Sequence, residues 1–252
     1  MSQHGAIATH EEHHDVVGSK MGMWSFLVTE ILMFFGIFLL YTIYRTQYPE
    51  DFAYSAGFLN TVLGTINTVV LLTSSLTVVL AIAMLERNKR QWSVFYLVVT
   101  IFLGLVFMVI KYFEWSAKIH HGLYPGSEVL LTHTKGENIF YGLYFFMTGL
   151  HGFHVLVGLV ILGFMTYFIA RKPRVNKDLY GLNLKQIAII DNKGRQIITE
   201  KAEHPIVGVS VVFEESEEVN ERNLSRLENA GLFWHLIDII WIFLFPLLYL
   251  IS

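Results

Sequence analysis

The stretch FYGLYFFMTGLHGFHVLVGLVILGFMTYFIA, residues 140–170, contains no Asp, Glu, Lys or Arg. A helix rises about 1.5 Å per residue, so about 20 apolar residues cross the roughly 30 Å of hydrocarbon in a bilayer. The stretch lies in one of five runs of sufficient length: residues 21–44, 59–85, 94–115, 139–170 and 230–251. The sequence therefore predicts an all-α membrane protein with five transmembrane helices in a bundle.

The composition agrees with this prediction and excludes several functional classes. Hydrophobic residues make up 54% of the 252 positions and charged residues 15%, which is too apolar for an ordinary soluble domain. The formal net charge is −3, so no broad basic field would attract nucleic acid. The chain has no cysteine, which removes disulfides, thiolate nucleophiles, iron–sulfur clusters and thiolate-bound metals.

The connections between the predicted helices define an orientation, because cytoplasmic connections of membrane proteins carry an excess of Lys and Arg. Basic residues follow the second and fourth runs: Arg87, Lys89, Arg90, Arg171, Lys172, Arg174 and Lys177. The first and third connections are poor in basic residues for their length. We therefore expect a cytoplasmic N-terminus and an external C-terminus.

Two polar segments lie outside the predicted helices. Residues 1–20 form a tail, and residues 171–229 form a cytoplasmic insertion between the four helices in 21–170 and the last helix in 230–252. In the insertion, KQIAII and RQIITE flank turn-forming residues at 191–194, which predicts a small β-hairpin between the fourth and fifth helices. The tail carries four histidines among acidic residues: His4, His10, His13 and His14. Such a tail can collect protons, or it can be merely solvated and disordered.

Glu30 lies near the middle of the first run, and its neighbours on the helix surface are apolar. An ionised carboxylate would be costly at this depth, so we expect a protonated side chain at rest. Two interpretations stay open. Glu30 is either a proton-exchange or lipid-facing site, or a structural carboxyl that is hydrogen-bonded to a neighbouring helix.

Other polar residues lie on the third and fourth runs. Glu114 is one turn from Lys111, and His151 and His154 are three residues apart on the fourth run. The histidines can hydrogen-bond Glu114 or a carboxylate on another helix, whereas metal or haem ligation would need a further ligand that the sequence does not identify. The opposite side of the fourth helix carries small residues, at which we expect close approach of a neighbouring helix: Gly142, Gly149, Gly152 and Gly163.

His235 and Asp238 are three residues apart on the last run. The carboxylate can hold the imidazole in one tautomer within the bundle. A catalytic dyad would need a nucleophile, and neither Ser nor Cys stands beside this pair in the sequence. The hydroxyls of the second run, from Thr68 to Thr77, are expected to bond their own backbone or a packed neighbour.

Six motifs resemble subunit III of the haem–copper oxidases, in the same order along the chain. They are TEILMFFGIF at 29–38, FLNTVLGTINTVVLLTSS at 58–75, LERNKR at 85–90, KYFEW at 111–115, FYGLYFFMTGLHGFHVLVG at 140–158 and FWHLIDIIWIFLFPLLY at 233–249. The resemblance includes every predicted helix. It implies a non-catalytic subunit of a bacterial terminal oxidase, in the inner membrane with a periplasmic C-terminus.

The resemblance also implies where the chemistry resides. Haems and copper belong to partner subunits I and II, and this chain holds no catalytic residue, redox ligand or metal. Its implied role is to stabilise the core during turnover, to bind phospholipid in a cleft between helix groups and to assist proton uptake from the cytoplasmic side. Glu30 matches the family's intramembrane glutamate. Five further residues match polar positions of the helix bundle: Glu114, His151, His154, His235 and Asp238.

Two departures from the family separate this chain from its longer members. Those members have seven helices, and this chain resembles the last five, so we expect an extended subunit I to carry the other two. The insertion at 171–229 is also much longer than the usual turn. It is either a docking surface, for a subunit IV or a respiratory supercomplex, or a tolerated insertion.

Several alternatives to the cytochrome c oxidase type remain open at the level of sequence. A quinol oxidase subunit III or an accessory subunit of nitric oxide reductase would show similar helices. An independent proton or ion transporter would use Glu30 and Glu114, but the chain lacks the internal repeats of many transporters. A membrane cytochrome would use His151 or His154 together with His235 as haem ligands.

Overall fold

The computed structural model describes residues 16–171, 180–190, 196–208 and 221–250. Contacts divide the chain into a membrane unit, residues 1–171 and 219–252, and an insertion unit, residues 172–218. The described part of the membrane unit is helical. Its helices are α1 (Val16–Gln47), α2 (Pro49–Ala56), α3 (Thr61–Glu86), α4 (Arg90–His120), α5 (Glu128–Leu131), α6 (Lys135–Ala170) and α7 (Glu221–Phe245), followed by a π-helical segment, Pro246–Leu250.

Five of these helices, α1, α3, α4, α6 and α7, are long and apolar enough to cross a membrane. The prediction of a multi-pass helical membrane protein is therefore confirmed. The helices extend beyond the apolar runs: α7 begins at Glu221 and not at 230, and α4 continues to His120 and not to 115. Polar residues can continue a helix once it has left the hydrocarbon, because the backbone bonds are internal to the helix.

Side-chain caps and a tight turn define several helix ends. The Asn60 side chain accepts a hydrogen bond from the Leu63 backbone N–H at 3.1 Å, and Thr134 accepts one from the Glu137 N–H at 3.3 Å. These bonds satisfy backbone donors that the first turns of α3 and α6 leave unpaired. Between α3 and α4 the chain turns within residues 87–89, where Asn88 adopts a positive φ of 58°.

The core of the membrane unit is centred on α7. Trp234 is fully buried and donates its indole N–H to Ser74 Oγ of α3 at 3.0 Å. Its ring lies against two glycines, Gly104 of α4 and Gly158 of α6, where an added Cβ would come within 2.9 Å of ring carbons. Small residues at these two positions thus let three helices close around one indole.

Among the residues that the structure describes, the close helix approach expected along one side of the fourth transmembrane helix is absent at three of its four glycines. A Cβ added at Gly142, Gly152 or Gly163 would meet none of these residues within 4 Å, and one at Gly149 would touch the Trp115 ring, at 3.2 Å. The histidine side of α6 faces the bundle instead. Both sides of a transmembrane helix are apolar, so the small size of the glycines did not show which side of α6 packs against its neighbours.

The described part of the insertion unit contains two strands, β1 (Tyr180–Ile190) and β2 (Gln196–Gly208), which pair antiparallel. Ile187 pairs with Glu200 and Ile189 with Ile198, and the register shifts at three places. The predicted turn at 191–194 lies outside the described residues.

Candidate functional site

Glu30 and His154 form a pair that joins α1 to α6. Glu30 Oε2 lies 2.9 Å from His154 Nε2, and His154 Nδ1 lies 2.7 Å from the Leu150 carbonyl oxygen. A carbonyl oxygen can only accept, so Nδ1 carries a hydrogen and one proton remains for the bond between Nε2 and Oε2. That proton rests either on the carboxyl, which gives a neutral pair, or on the imidazole, which gives an ion pair.

The pair lies at the edge of the bundle. The exposed fractions of the two side chains are 16% for Glu30 and 11% for His154, and the buried Phe34 ring packs edge-on against the imidazole, with centroids 5.4 Å apart. One prediction is thereby confirmed: His154 hydrogen-bonds a carboxylate on another helix. The pair is therefore only partly enclosed by the described residues.

An apolar groove between α1, α6 and α7 continues from this pair. Phe233 lines the groove, and its ring centroid lies 6.4 Å from that of His154. The other lining residues are Met23, Phe26, Val157, Ile161, Met165, Arg226, Asn229 and Ala230. Arg226 and Asn229 belong to the first turns of α7 and give one end of the groove a cation and an amide.

Glu114 is the centre of a second, fully buried polar cluster. Its Oε2 accepts a hydrogen bond from Lys111 Nζ at 2.9 Å. Its Oε1 accepts from Lys118 Nζ at 3.2 Å, from Tyr144 Oη at 3.0 Å and from Tyr249 Oη at 2.5 Å. The cluster therefore connects α4 to α6 and to the C-terminal π-helical segment.

The two lysines of this cluster face one carboxylate, which leaves one excess positive charge in formal terms. Aromatic rings surround it: Lys111 Nζ lies 5.0 Å from the Trp241 ring and 5.5 Å from each of the Tyr144 and Tyr249 rings. Ring faces are negative and stabilise a cation at such distances. The arrangement fits a structural junction of helices, since its charged groups bond one another.

His151 is 1% exposed and is not bonded to Glu114. Its imidazole lies between the Phe107 and Trp241 rings, with centroid distances of 5.6 Å and 5.2 Å. Neither ring nitrogen has a hydrogen-bond partner among the residues that the structure describes. Among these described residues, the imidazole is held by aromatic packing.

His235 and Asp238 are one turn apart and both approach Ser75 of α3, and the described residues show no direct hydrogen bond between the two. His235 Nδ1 lies 2.6 Å from Ser75 Oγ of α3, and the buried Asp238 carboxylate lies beside the same hydroxyl. A Ser–His–Asp triad needs the serine on one imidazole nitrogen and the aspartate on the other. Here both approach Ser75, so the three residues are not arranged for nucleophilic catalysis.

Sequence reasoning identified Glu114 but missed three of its four partners. Lys118 is four residues after Glu114, a spacing that places it on the same helix face, but the predicted helix ended at residue 115. Tyr144 and Tyr249 reach Glu114 from other helices, and nothing in the sequence indicated that contact. Ser75 was placed among hydroxyls that bond their own backbone or a packed neighbour, and its contact with His235 is of the second kind. The tail residues His4, His10, His13 and His14 lie outside the described residues.

Within residues 16–171, 180–190, 196–208 and 221–250, no three His, Asp or Glu side chains are grouped as metal ligands would be. The fold and these sites define a polytopic helical membrane protein whose intramembrane ionisable groups mostly pair with one another. A sequence model described as cytochrome c oxidase subunit III matches residues 1–184. The chain belongs to this family, as the resemblance of its motifs had indicated.

Three relatives illustrate the range of the family. "Probable quinol oxidase subunit 3" of Staphylococcus saprophyticus is 24% identical over 251 residues, which are 99% of this chain and 96% of the relative. The protein of the same name from Staphylococcus aureus (strain USA300) is 24% identical over 95% of this chain and 92% of its own length. "Heme-copper oxidase subunit I+III" of Aeropyrum pernix is 25% identical over 92% of this chain, which corresponds to 22% of that longer protein.

Proposed function

We propose that this chain is a non-catalytic subunit III of a bacterial haem–copper terminal oxidase of the cytochrome c oxidase type. The observation that carries the proposal is the match of residues 1–184 to the subunit III family. In this role the chain stabilises the catalytic core during aerobic electron transport to oxygen. It resides in the inner membrane, with its N-terminus in the cytoplasm and its C-terminus in the periplasm.

The proposed partners are subunits I and II, which hold the haems and copper. The relative named "subunit I+III" supports the first of these, because its name combines both subunits in one chain. An extended subunit I would also supply the two helices that longer family members have. The insertion unit is then available for a subunit IV or for a supercomplex partner.

Phospholipid is the proposed small-molecule ligand. The groove between α1, α6 and α7 is almost entirely apolar, as an acyl chain requires, and Arg226 at its end can pair with a lipid phosphate. Glu30 and His154 lie beside this groove. We propose that the proton they share assists proton uptake by the oxidase, because it can move between the two side chains without a change of contact.

The proposal is tested by purifying the tagged chain in mild detergent and recording the visible spectrum and oxygen consumption of what accompanies it. Haem absorbance and oxygen reduction are expected to co-purify, and the haem should stay with the other subunits when this chain is stripped away. A colourless chain that purifies alone would contradict the proposal. An independent transporter would then become the leading alternative.

Quinol is the second candidate electron donor, because two of the relatives are named probable quinol oxidase subunits. The same purified complex distinguishes the donors when it is supplied with reduced cytochrome c or with a quinol as sole reductant. Oxygen consumption with cytochrome c is expected. Oxygen consumption with quinol alone would show that the complex is of the quinol oxidase type. The proposed role of this chain would be unchanged.

A further inference from the structure

The outer surface between α3 and α7 contains an imidazole near the middle of both helices. Ser75 lies near the centre of Thr61–Glu86, and His235 near the centre of the span Asn223–Leu250. His235 is half-buried, whereas Trp234 and Leu236 on either side of it are buried. An ionisable side chain that is open at this depth is expensive and is usually in contact with protein.

The direction of this imidazole is fixed by the packing of α7 on α3. Trp234 donates its indole N–H to Ser74 Oγ at 3.0 Å, deep in the contact between the two helices. The next residue on each helix forms the neighbouring bond, between His235 Nδ1 and Ser75 Oγ at 2.6 Å, at the outer edge of that contact. The imidazole is therefore held at the surface and cannot turn freely toward the interior.

One hydrogen-bonding atom at this place has no partner within the part of the chain that the structure describes. His235 Nδ1 is bonded to Ser75, which leaves Nε2 available. The Asp238 carboxylate lies beside the same hydroxyl but is 4% exposed, so it is enclosed by the bundle. Acyl chains offer neither donors nor acceptors, so lipid cannot satisfy His235 Nε2, whereas a polar side chain on another transmembrane helix can.

We infer that the surface around His235 is where a transmembrane helix of oxidase subunit I docks, with a hydrogen-bonding side chain directed at Nε2. We call this surface the α3–α7 face, and define it by Ser75 and His235 with the exposed apolar residues beside them: Leu72, Val79, Ile239 and Ile242. Subunit I is the partner that the proposed function supplies, and the inference rests on that proposal. The relative named "subunit I+III" favours subunit I over other subunits, because a fused chain keeps the two sets of helices together.

Photo-crosslinking in intact membranes tests the face directly. The photoreactive amino acid p-benzoylphenylalanine is placed at Ile239 on the α3–α7 face or, as a matched control, at Leu105 in the middle of α4. The two positions are 50% and 51% exposed. After irradiation, we expect Ile239 to give a covalent product with subunit I, identified by mass spectrometry, and Leu105 to give none.

The possible outcomes separate the docking face from the proposed function. A product between Leu105 and subunit I without one at Ile239 would overturn the α3–α7 face, as would an Ile239 product with lipid, with a second copy of this chain or with another subunit. If subunit I is absent from the purified wild-type complex, the proposed function fails and the inference fails with it.

Substitution of His235 tests the hydrogen bond. His235→Leu is expected to lower retention of subunit I during detergent washing about threefold to tenfold, which is the effect of losing one hydrogen bond. His235→Gln should restore part of the lost retention of subunit I. Thr73→Val is the control, because the exposed Thr73 hydroxyl bonds only the backbone of its own helix. Equal retention in His235→Leu and wild type would overturn the proposed bond.

Discussion

Glu114 accepts hydrogen bonds from four side chains, and its carboxylate is the acceptor that these four share. Lys111 and Lys118 are each 7% exposed and have this one carboxylate between them. Removing one partner of a buried ion pair leaves an uncompensated charge, which is far more costly than the pair is favourable. The hydroxyls of Tyr144 and Tyr249 complete the shell of the carboxylate, so the cluster is satisfied only as a whole.

We therefore predict that Glu114→Gln lowers the free energy of unfolding by about 3–5 kcal/mol. Lys118→Met should be less damaging, because it leaves one lysine paired with one carboxylate. Thermal unfolding of the purified complex measures both, with the exposed Glu128→Gln as control. A larger loss in Lys118→Met than in Glu114→Gln would show that the cluster is not organised around the carboxylate.

Glu30 differs from Glu114, because its carboxyl contacts the His154 imidazole and no lysine. Glu30→Gln keeps the shape and one hydrogen bond but removes the ionisable group. We predict that this variant assembles in normal yield and inactivates sooner during turnover, with an altered pH dependence of oxygen consumption. Repeated turnover assays of the purified oxidase measure both effects. If lifetime and pH dependence are unchanged, Glu30 has a structural role only.

At the scale of elements, α7 organises the membrane unit. Of its most apolar window, 61% is buried, compared with 17% to 33% for the other four spanning helices. It has this position because Trp234 fits between Gly104 and Gly158, while Trp241 donates its indole N–H to Thr68 of α3 at 3.0 Å. The other helices pack around α7 and leave more of their own apolar windows exposed.

The sequence was sufficient to predict the five helices but not their packing. Apolar runs of the required length determine which segments span, and Glu30 was identified as a candidate because a carboxylate there is costly. Its partner His154 is 124 residues away, and the sequence alone could state only that some carboxylate would meet a histidine. The glycine stripe misled for a similar reason, since the sequence does not show which side of an apolar helix packs against another described helix.

Paired glycine substitutions on α6 test this packing. At Gly158 an added methyl group would lie 2.9 Å from the Trp234 ring, whereas at Gly163 it would meet no described residue within 4 Å. We predict that Gly158→Ala destabilises the protein by about 1–3 kcal/mol through overpacking. Gly163→Ala should be neutral or should stabilise it by up to about 1 kcal/mol through helix propensity. Unfolding of both variants under the same conditions measures the difference, and equal stabilities would contradict the role assigned to Gly158.

At the scale of the whole molecule, the orientation in the membrane determines which proton source each site can reach. The start of α4 and the start of α5 lie at opposite ends of the α4 span, because the chain crosses the membrane once between them. Basic residues accumulate beside the first of these ends, at Arg87, Lys89 and Arg90. The excess of Lys and Arg on cytoplasmic connections therefore predicts that this end faces the cytoplasm.

Cysteine labelling provides the test, because the chain has no cysteine of its own. Gln91 and Glu128 are both exposed and lie at the two ends of the α4 span. In intact spheroplasts, a membrane-impermeant maleimide is expected to label Glu128→Cys at once and Gln91→Cys only after lysis, because the bilayer shields the cytoplasmic end. The opposite labelling pattern would invert the orientation. Arg226, at one end of the groove between α1, α6 and α7, would then lie on the periplasmic side. A proton taken up from the cytoplasm could then not reach Glu30 from that end of the bundle.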